Sequence, residues 1–393
     1  MAIYLDHAAT TPVRPEVVSA MLPYLSDVFG NPSSAHTYGR QARAALDDAR
    51  ERLATGLNAQ PREVVFTSGG TEANNLALKG AAWAGKARGH RIVTSSIEHH
   101  AVGHTLRYLE KFGFEVVELP VDRYGRVDPD EVDAAITDRT ILVSVMLANN
   151  EVGTIQPIAE IAARTRARRG VVFHVDAVQA APWVALDLEE LGADLVSLAA
   201  HKFEGPKGVG ALYVRHGTHL LAQQQGGSQE RHRRAGTESP ALVMGMAAAH
   251  ELACAEREAT VTRVGTLADR LRDAILAVDG TELTGHPRDR LPGLLSLVVQ
   301  DTDGSSVALA LDLEGIATSV GSACATGSAE VSHVLSAMGY PEEEARGALR
   351  ISLGRTTTSE EIQTAISIIP PILRAHRSGA VTLAADPLAQ AGV

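Results

Sequence analysis

VVFHVDAVQAAPWVALDLEELGADLVSLAAHKFEGPKGVGALYV, residues 171–214, decides the fold. It holds three short runs rich in Val, Leu and Phe, at 171–175, 194–198 and 210–214, each of strand length and bounded by Gly, Pro or Asp. Working outward, similar runs stand at 64–67, 91–94, 115–120 and 140–146, separated by helical patterns such as IAEIAARTRARR. Nearly continuous apolar strands alternating with helices predict an α/β fold with a mostly parallel seven-stranded sheet wrapped by helices. Further on, residues 240–278 lack an internal Pro and read as one or two helices. LLSLVV, VALALDL, HVLSAM and IQTAISIIPPIL then predict a smaller α+β domain. A chain of 393 residues exceeds what one core usually organises. The expected division is a large domain at 15–255, a small domain from 1–14 and 256–377, and a loosely held tail at 378–393 rich in small and turn-forming residues.

The formal net charge of -11 argues against nonspecific nucleic-acid binding and against an acidic membrane as partner. No segment reaches the roughly 20 apolar residues of a membrane helix, and the opening MAIYLDHAATT lacks a basic stretch followed by an apolar run. The expectation is a cytoplasmic protein. Only two cysteines occur, too few for a disulfide scaffold. Cys254, in the helical stretch AAAHELACAERE, reads as a small buried thiol. Cys324, in VGSACATGS, has small neighbours that suit a loop able to carry a reactive group.

In open α/β sheets ligands gather at the carboxyl ends of strands, so the polar residues that follow each run are the candidates. VVFT leads into SGGTEANNLAL, where Gly70 and Thr71 at a helix start offer amides and a hydroxyl to a phosphate. Such a turn also fits an ordinary capped helix. VVFHV leads to Asp176 and then Gln179; a carboxylate there can keep a pyridine nitrogen protonated. Lys202, 26 residues after Asp176, follows the next run and is a Schiff-base candidate, with Lys207 in GPKG the competing lysine. IEHHAV and LANNEVGTIQP bring His99 and Asn150 to the same edge. His100 and His104 have metal-ligand spacing without an evident third ligand.

These motifs resemble the NifS/IscS cysteine desulfurases, within the class V aminotransferase superfamily of fold type I enzymes that use pyridoxal 5'-phosphate (PLP). The resemblance runs from YLDHAATTP through GNPSSAH, FTSGGTEANNLAL, EHHAV, NNEVG, HVDAVQ, AHKFEGPKGVGALYVR, QERHRRAGTES and GSACATGSAEVSHVL to ISLGRTTTSEEI. It implies that Lys202 bonds to PLP, Asp176 pairs with the pyridine nitrogen, Gln179 and Asn150 contact the phenolic oxygen, and His99 stacks on the ring. Gly70, Thr71 and His201 would hold the phosphate, with Thr237 reaching the partner's phosphate in a homodimer. Where the family usually carries Ser, two residues before the His of the lysine motif, this chain has Ala199. The loss of that phosphate hydrogen bond implies either weaker cofactor retention or compensation by another hydroxyl such as Ser197.

The resemblance further implies that Cys324 takes sulfur from L-cysteine as a persulfide while alanine leaves, His99 supplying a proton. Arg350 would grip the substrate carboxylate through two parallel donors, Arg355 being the alternative. The acceptors implied are an iron-sulfur scaffold protein or a tRNA-thiolation factor, and Cys324 would be a transient metal ligand in a cluster shared with such a scaffold. For the basic run Arg231, His232, Arg233 and Arg234, a cofactor-side or dimer-interface role is expected over nucleic-acid contact. A selenocysteine lyase, a PLP aminotransferase-like enzyme and a non-catalytic sulfur-carrier adaptor are the rival readings.

Overall fold

The computed structural model describes residues 2–321 and 331–377. Packing divides the chain into two compact units. The larger comprises Thr10–Asn150 and Thr154–Ala259, and the smaller comprises Met1–Ala9, Glu151–Gly153 and Thr260–Val393. Cys324 and the expected tail at 378–393 lie outside the described residues.

In the larger unit all seven expected runs join one sheet, in the order Val64–Thr67, Gly210–Val214, Leu195–Ala199, Val172–Asp176, Thr140–Ser144, Arg91–Ser95, Glu115–Leu119. Gly210–Val214 is antiparallel to both neighbours and the other pairings are parallel. The central strands Thr140–Ser144 and Leu195–Ala199 are buried at every position, so their sequences run apolar without alternation. Glu115–Leu119 lies at the edge, and only its Leu119 is buried. Leu76, Ala77 and Ala81 of the helix Gly70–Gly85, with Val102, Leu106 and Leu109 of His100–Glu110, share one buried cluster with Val65, Ile92, Leu142 and Leu212 of the sheet. Burying each of the larger side chains there contributes roughly 1.5–3 kcal/mol. Chain order reverses at Arg91–Ser95, which has Glu115–Leu119 on one side and Thr140–Ser144 on the other. The crevice at such a reversal is where α/β sheets bind ligands.

Residues 10–14, expected in the small domain, pack with the larger unit because polar bonds hold them there. Thr11 N donates to His201 O at 3.1 Å and Arg14 N to Glu204 O at 3.1 Å. Arg14 also forms a buried ion pair with Glu204 at 2.6 Å. The run at 240–278 is a single helix, Pro240–Leu276, and the division between units falls inside it. Cys254 on this helix is half-buried rather than core, with its Sγ accepting from Arg257 Nη2 at 3.2 Å.

The smaller unit carries a three-stranded antiparallel sheet, Ala348–Ser352, Leu294–Val299, Thr281–Leu283, beside the helices Gly304–Leu313 and Ser359–Arg377. Ile3–Tyr4 pairs in parallel with Ile316–Ala317.

Candidate active site

The turn after Val64–Thr67 is built for close approach. Gly69 has φ +152°, a conformation that favours glycine, and a methyl group placed on it would meet nothing within 4 Å. A methyl on Gly70 would lie 2.8 Å from Val178 Cγ2 and 3.4 Å from the β-carbon of Ala199, and one on Gly210 would lie 2.6 Å from Gly69 C. The turn, the residues after Val172–Asp176 and the end of Leu195–Ala199 therefore meet at one place. Thr71, in the first helical turn, is exposed. Glu72 accepts from Ser68 N at 2.7 Å and from Arg234 Nε at 2.8 Å, so the basic run turns Arg234 inward to brace this turn.

Asp176 ends its strand with 5% exposure. Its Oδ2 accepts from Asn74 Nδ2 at 2.7 Å and its Oδ1 from Val178 N at 3.0 Å. Asn74 lies on the inner face of the helix Gly70–Gly85 and was missed by the motif reading; an Asn amid apolar helix positions was its one signal. Gln179 is buried, and its Oε1 has no partner among the described residues. Neither does Asn74 Oδ1.

Lys202 sits in a short 3-10 turn, Ala200–Lys202, directly after its strand. His201 Nδ1 lies 3.2 Å from Thr10 Oγ1. Burial, then the charges of Lys202 and Lys207, press the His201 pKa down to about 4, so its imidazole is neutral at physiological pH. Lys207 donates to Thr11 O at 3.1 Å, which ties the competing lysine to the backbone of the same turn. Ala199 offers the Gly70 turn only a methyl. Ser197 does not substitute for the missing hydroxyl: it is wholly buried and its Oγ lies 3.0 Å from His174 Nε2. His174 also meets Ser144 Oγ at 2.8 Å, and burial lowers its pKa to about 4.

His99 caps the helix His100–Glu110, its Nδ1 accepting from Ala101 N at 3.1 Å. An accepting Nδ1 leaves the neutral ring's proton on Nε2. The loops that carry His99 and Asn150 are joined on both sides. Asn149 Nδ2 donates to Ile97 O at 3.0 Å, and Glu98 Oε1 accepts from Met146 N at 2.9 Å and Ser95 Oγ at 2.5 Å. Complete burial pushes the Glu98 carboxyl up to about 8, with Asp176 adding to the rise. Sequence reasoning passed over Glu98 although it stands next to His99.

Thr237 is exposed. It follows a turn in which Glu230, Arg231 and His232 have φ of +45°, +56° and +64°, held by a buried bidentate pair between Glu230 and Arg50 at 2.6 and 2.8 Å. In the smaller unit Arg350 is 2% exposed and its Nη2 donates to Asp6 Oδ1 at 3.0 Å. Arg355 is half-buried. His100 and His104 have rings 4.9 Å apart, and no group of three or more metal-ligating side chains occurs among the described residues.

The pattern of the family described as Aminotransferase class-V matches residues 3–364. Cysteine desulfurase IscS of Methanosarcina thermophila is 49% identical over 377 residues, 96% of this chain and 93% of that one. The chain belongs to the NifS/IscS cysteine desulfurases. A solved structure described as a NifS-like protein superposes on this family member with a TM-score of 0.90, at 37% identity, covering 95% of this chain and 99% of that one. Another, described as SspA in complex with cysteine, gives 0.80 at 35% identity, over 91% and 100%. The family consists of PLP enzymes, and the larger unit fits that group. It offers a buried Gln179 oxygen that lacks a partner among the described residues, a carboxylate held by two donors, and open space beside Gly69 at a helix start. No described helix is long and apolar enough to cross a membrane.

Proposed function

We propose that this chain takes the sulfur of L-cysteine onto Cys324 with the help of PLP and releases L-alanine. The convergence of Asp176, Gln179, the Gly69–Gly70 turn and the Lys202 turn, in a NifS/IscS family member, carries the reading. PLP, when bound, supplies an electron sink for carbanionic charge developing at the substrate Cα. Gly70, Thr71 and neutral His201 would hold its phosphate, Asp176 its ring nitrogen, and Gln179 with Asn150 its phenolic oxygen. Asn74 and the Val178 amide fix the Asp176 carboxylate in place. His99 would stack on the ring and hold a proton at Nε2. The Lys202 amine, covalently tied to the cofactor at rest, would move the Cα proton once displaced. Arg350 would orient the substrate through its carboxylate.

Cys324 then attacks the substrate sulfur as a thiolate. An S–S bond forms while the Cβ–S bond breaks, and the carbon fragment takes a proton to become alanine. The persulfide passes to an iron-sulfur scaffold protein or a tRNA-thiolation factor in the cytoplasm, with Cys324 a transient cluster ligand in the first case. The working form is a homodimer in which Thr237 reaches the partner's phosphate.

Intact-mass analysis after exposure to L-cysteine tests the reading: one added sulfur should appear on wild type and not on Cys324→Ser. Lys202→Ala should lose the absorbance of lysine-bound PLP. A Cys324→Ser protein that turns over cysteine at the wild-type rate refutes the mechanism.

A further inference from the structure

Residue 151 follows Asn150 directly, yet Glu151–Gly153 packs with the smaller unit. Gly153 O accepts from Leu291 N at 2.9 Å, which fixes this short segment there. The Glu151 side chain is 4% exposed, and its Oε2 accepts from Ser332 Oγ at 2.5 Å. Ser332, also 4% exposed, caps the helix His333–Ala337, its Oγ accepting from Leu335 N at 3.2 Å. The same Glu151 oxygen lies against Gly321: a methyl on that glycine would sit 3.0 Å from Oε2 and 3.6 Å from Ser332 Cβ. Gly321 and Ser332 are the two ends of the stretch that contains Cys324. One buried carboxylate thus bonds to one end and lies beside the other, where a β-carbon would fit only if the Glu151 carboxylate shifted by a few tenths of an ångström.

We propose that Glu151 is a positioning residue for sulfur transfer, joining the two ends of the Cys324 segment and so fixing where the thiol is delivered. The role rests on the reading of Cys324 as the sulfur acceptor. Holding a chain's ends together removes conformations that a reactive group would otherwise sample, which raises its effective concentration at the target. A hydroxyl donating to a charged acceptor is among the stronger hydrogen bonds, and its loss corresponds to roughly a ten-fold change in an equilibrium. Glu151 touches neither substrate nor cofactor in this scheme and acts through Ser332 and Gly321.

The test uses the PLP-loaded enzyme and follows two events after mixing with L-cysteine. One is the change in cofactor absorbance, which reports the pocket. The other is the appearance of persulfide on Cys324, followed by rapid quench and intact mass. Glu151→Gln and Ser332→Ala should slow persulfide formation about ten-fold while the absorbance change stays within about two-fold. Ser332→Thr, which keeps the hydroxyl, should restore the rate, and Gly321→Ala should slow it. Should Glu151→Gln fail to fold, the Ser332→Ala, Ser332→Thr and Gly321→Ala variants decide alone. Equal slowing of both events would place Glu151's effect in the cofactor pocket and overturn the proposal, as would wild-type persulfide rates in Ser332→Ala and Gly321→Ala. A wild type that forms no persulfide would instead reject the desulfurase reading itself.

Discussion

Glu98→Gln isolates the charge of a single buried carboxyl, because Gln keeps the size and mimics the protonated acid. In the folded protein Glu98 is completely buried, accepts from Ser95 Oγ and Met146 N, and has its pKa pushed from 4.5 up to about 8. The folded pKa lies above the unfolded one, so the folded state holds the proton more tightly between those values. The stability contributed is full below pH 4.5 and is lost as pH rises through 8. Each pKa unit corresponds to about 1.4 kcal/mol, so the whole window spans about 5 kcal/mol and the part between pH 6 and 8.5 about 2–3 kcal/mol. Titrating groups far from Glu98 act equally in wild type and variant and cancel in the difference, while Asp176, which adds to the Glu98 rise, is relieved of that charge along with it. Urea unfolding midpoints across that range should show Glu98→Gln gaining on wild type steadily as pH rises. Parallel curves for the two proteins would mean that Glu98 is already ionised at neutral pH, and the reasoning from burial would fall.

His174, His201 and His250 each have their pKa lowered to about 4, all chiefly by burial. Their folded values lie below the ordinary 6.5, so stability should be full above pH 6.5 and fall toward pH 4, by up to about 3 kcal/mol for each fully buried ring and less for partly open His201. A flat urea midpoint between pH 6.5 and 5 would contradict this. Glu230→Ala leaves the Arg50 charge and the Phe66 amide unpaired, which should cost about 3–5 kcal/mol in denaturant unfolding. A loss under 1 kcal/mol would show that water reaches Arg50. Asn74→Ala strips one donor from Asp176, so PLP retention on dialysis should weaken about ten-fold while the apo-protein melts within a few degrees of wild type; unchanged retention would make Asn74 a packing residue only.

The seven strands were legible because each is a short apolar run between turn formers, and each was placed within about two residues. The site's edge was legible for a topological reason: residues that follow parallel strands share one end of the sheet. What escaped were pairings that no local pattern encodes. Asn74 and Asp176 are 102 residues apart in sequence, and nothing near Asp176 in the chain points to Asn74 as its partner. Glu98 and His174 read as polar interruptions, since their meaning lies in burial. Ser197 was misjudged because its hydroxyl points to a neighbouring strand's His174. The division at residue 9 rather than 14 came from hydrogen bonds made by Thr11 and Arg14, which sequence spacing does not reveal.

The backbone and hydroxyl of Thr11 serve His201, Glu204 and Lys207 at separations of 190, 193 and 196 residues. At about 5–20 residues per second, a ribosome makes the strap roughly 10–40 s before the turn it secures. Assembly of the Lys202 turn is therefore a late event in biosynthesis, and shortening the chain from its front by even a dozen residues would leave that turn without its tie.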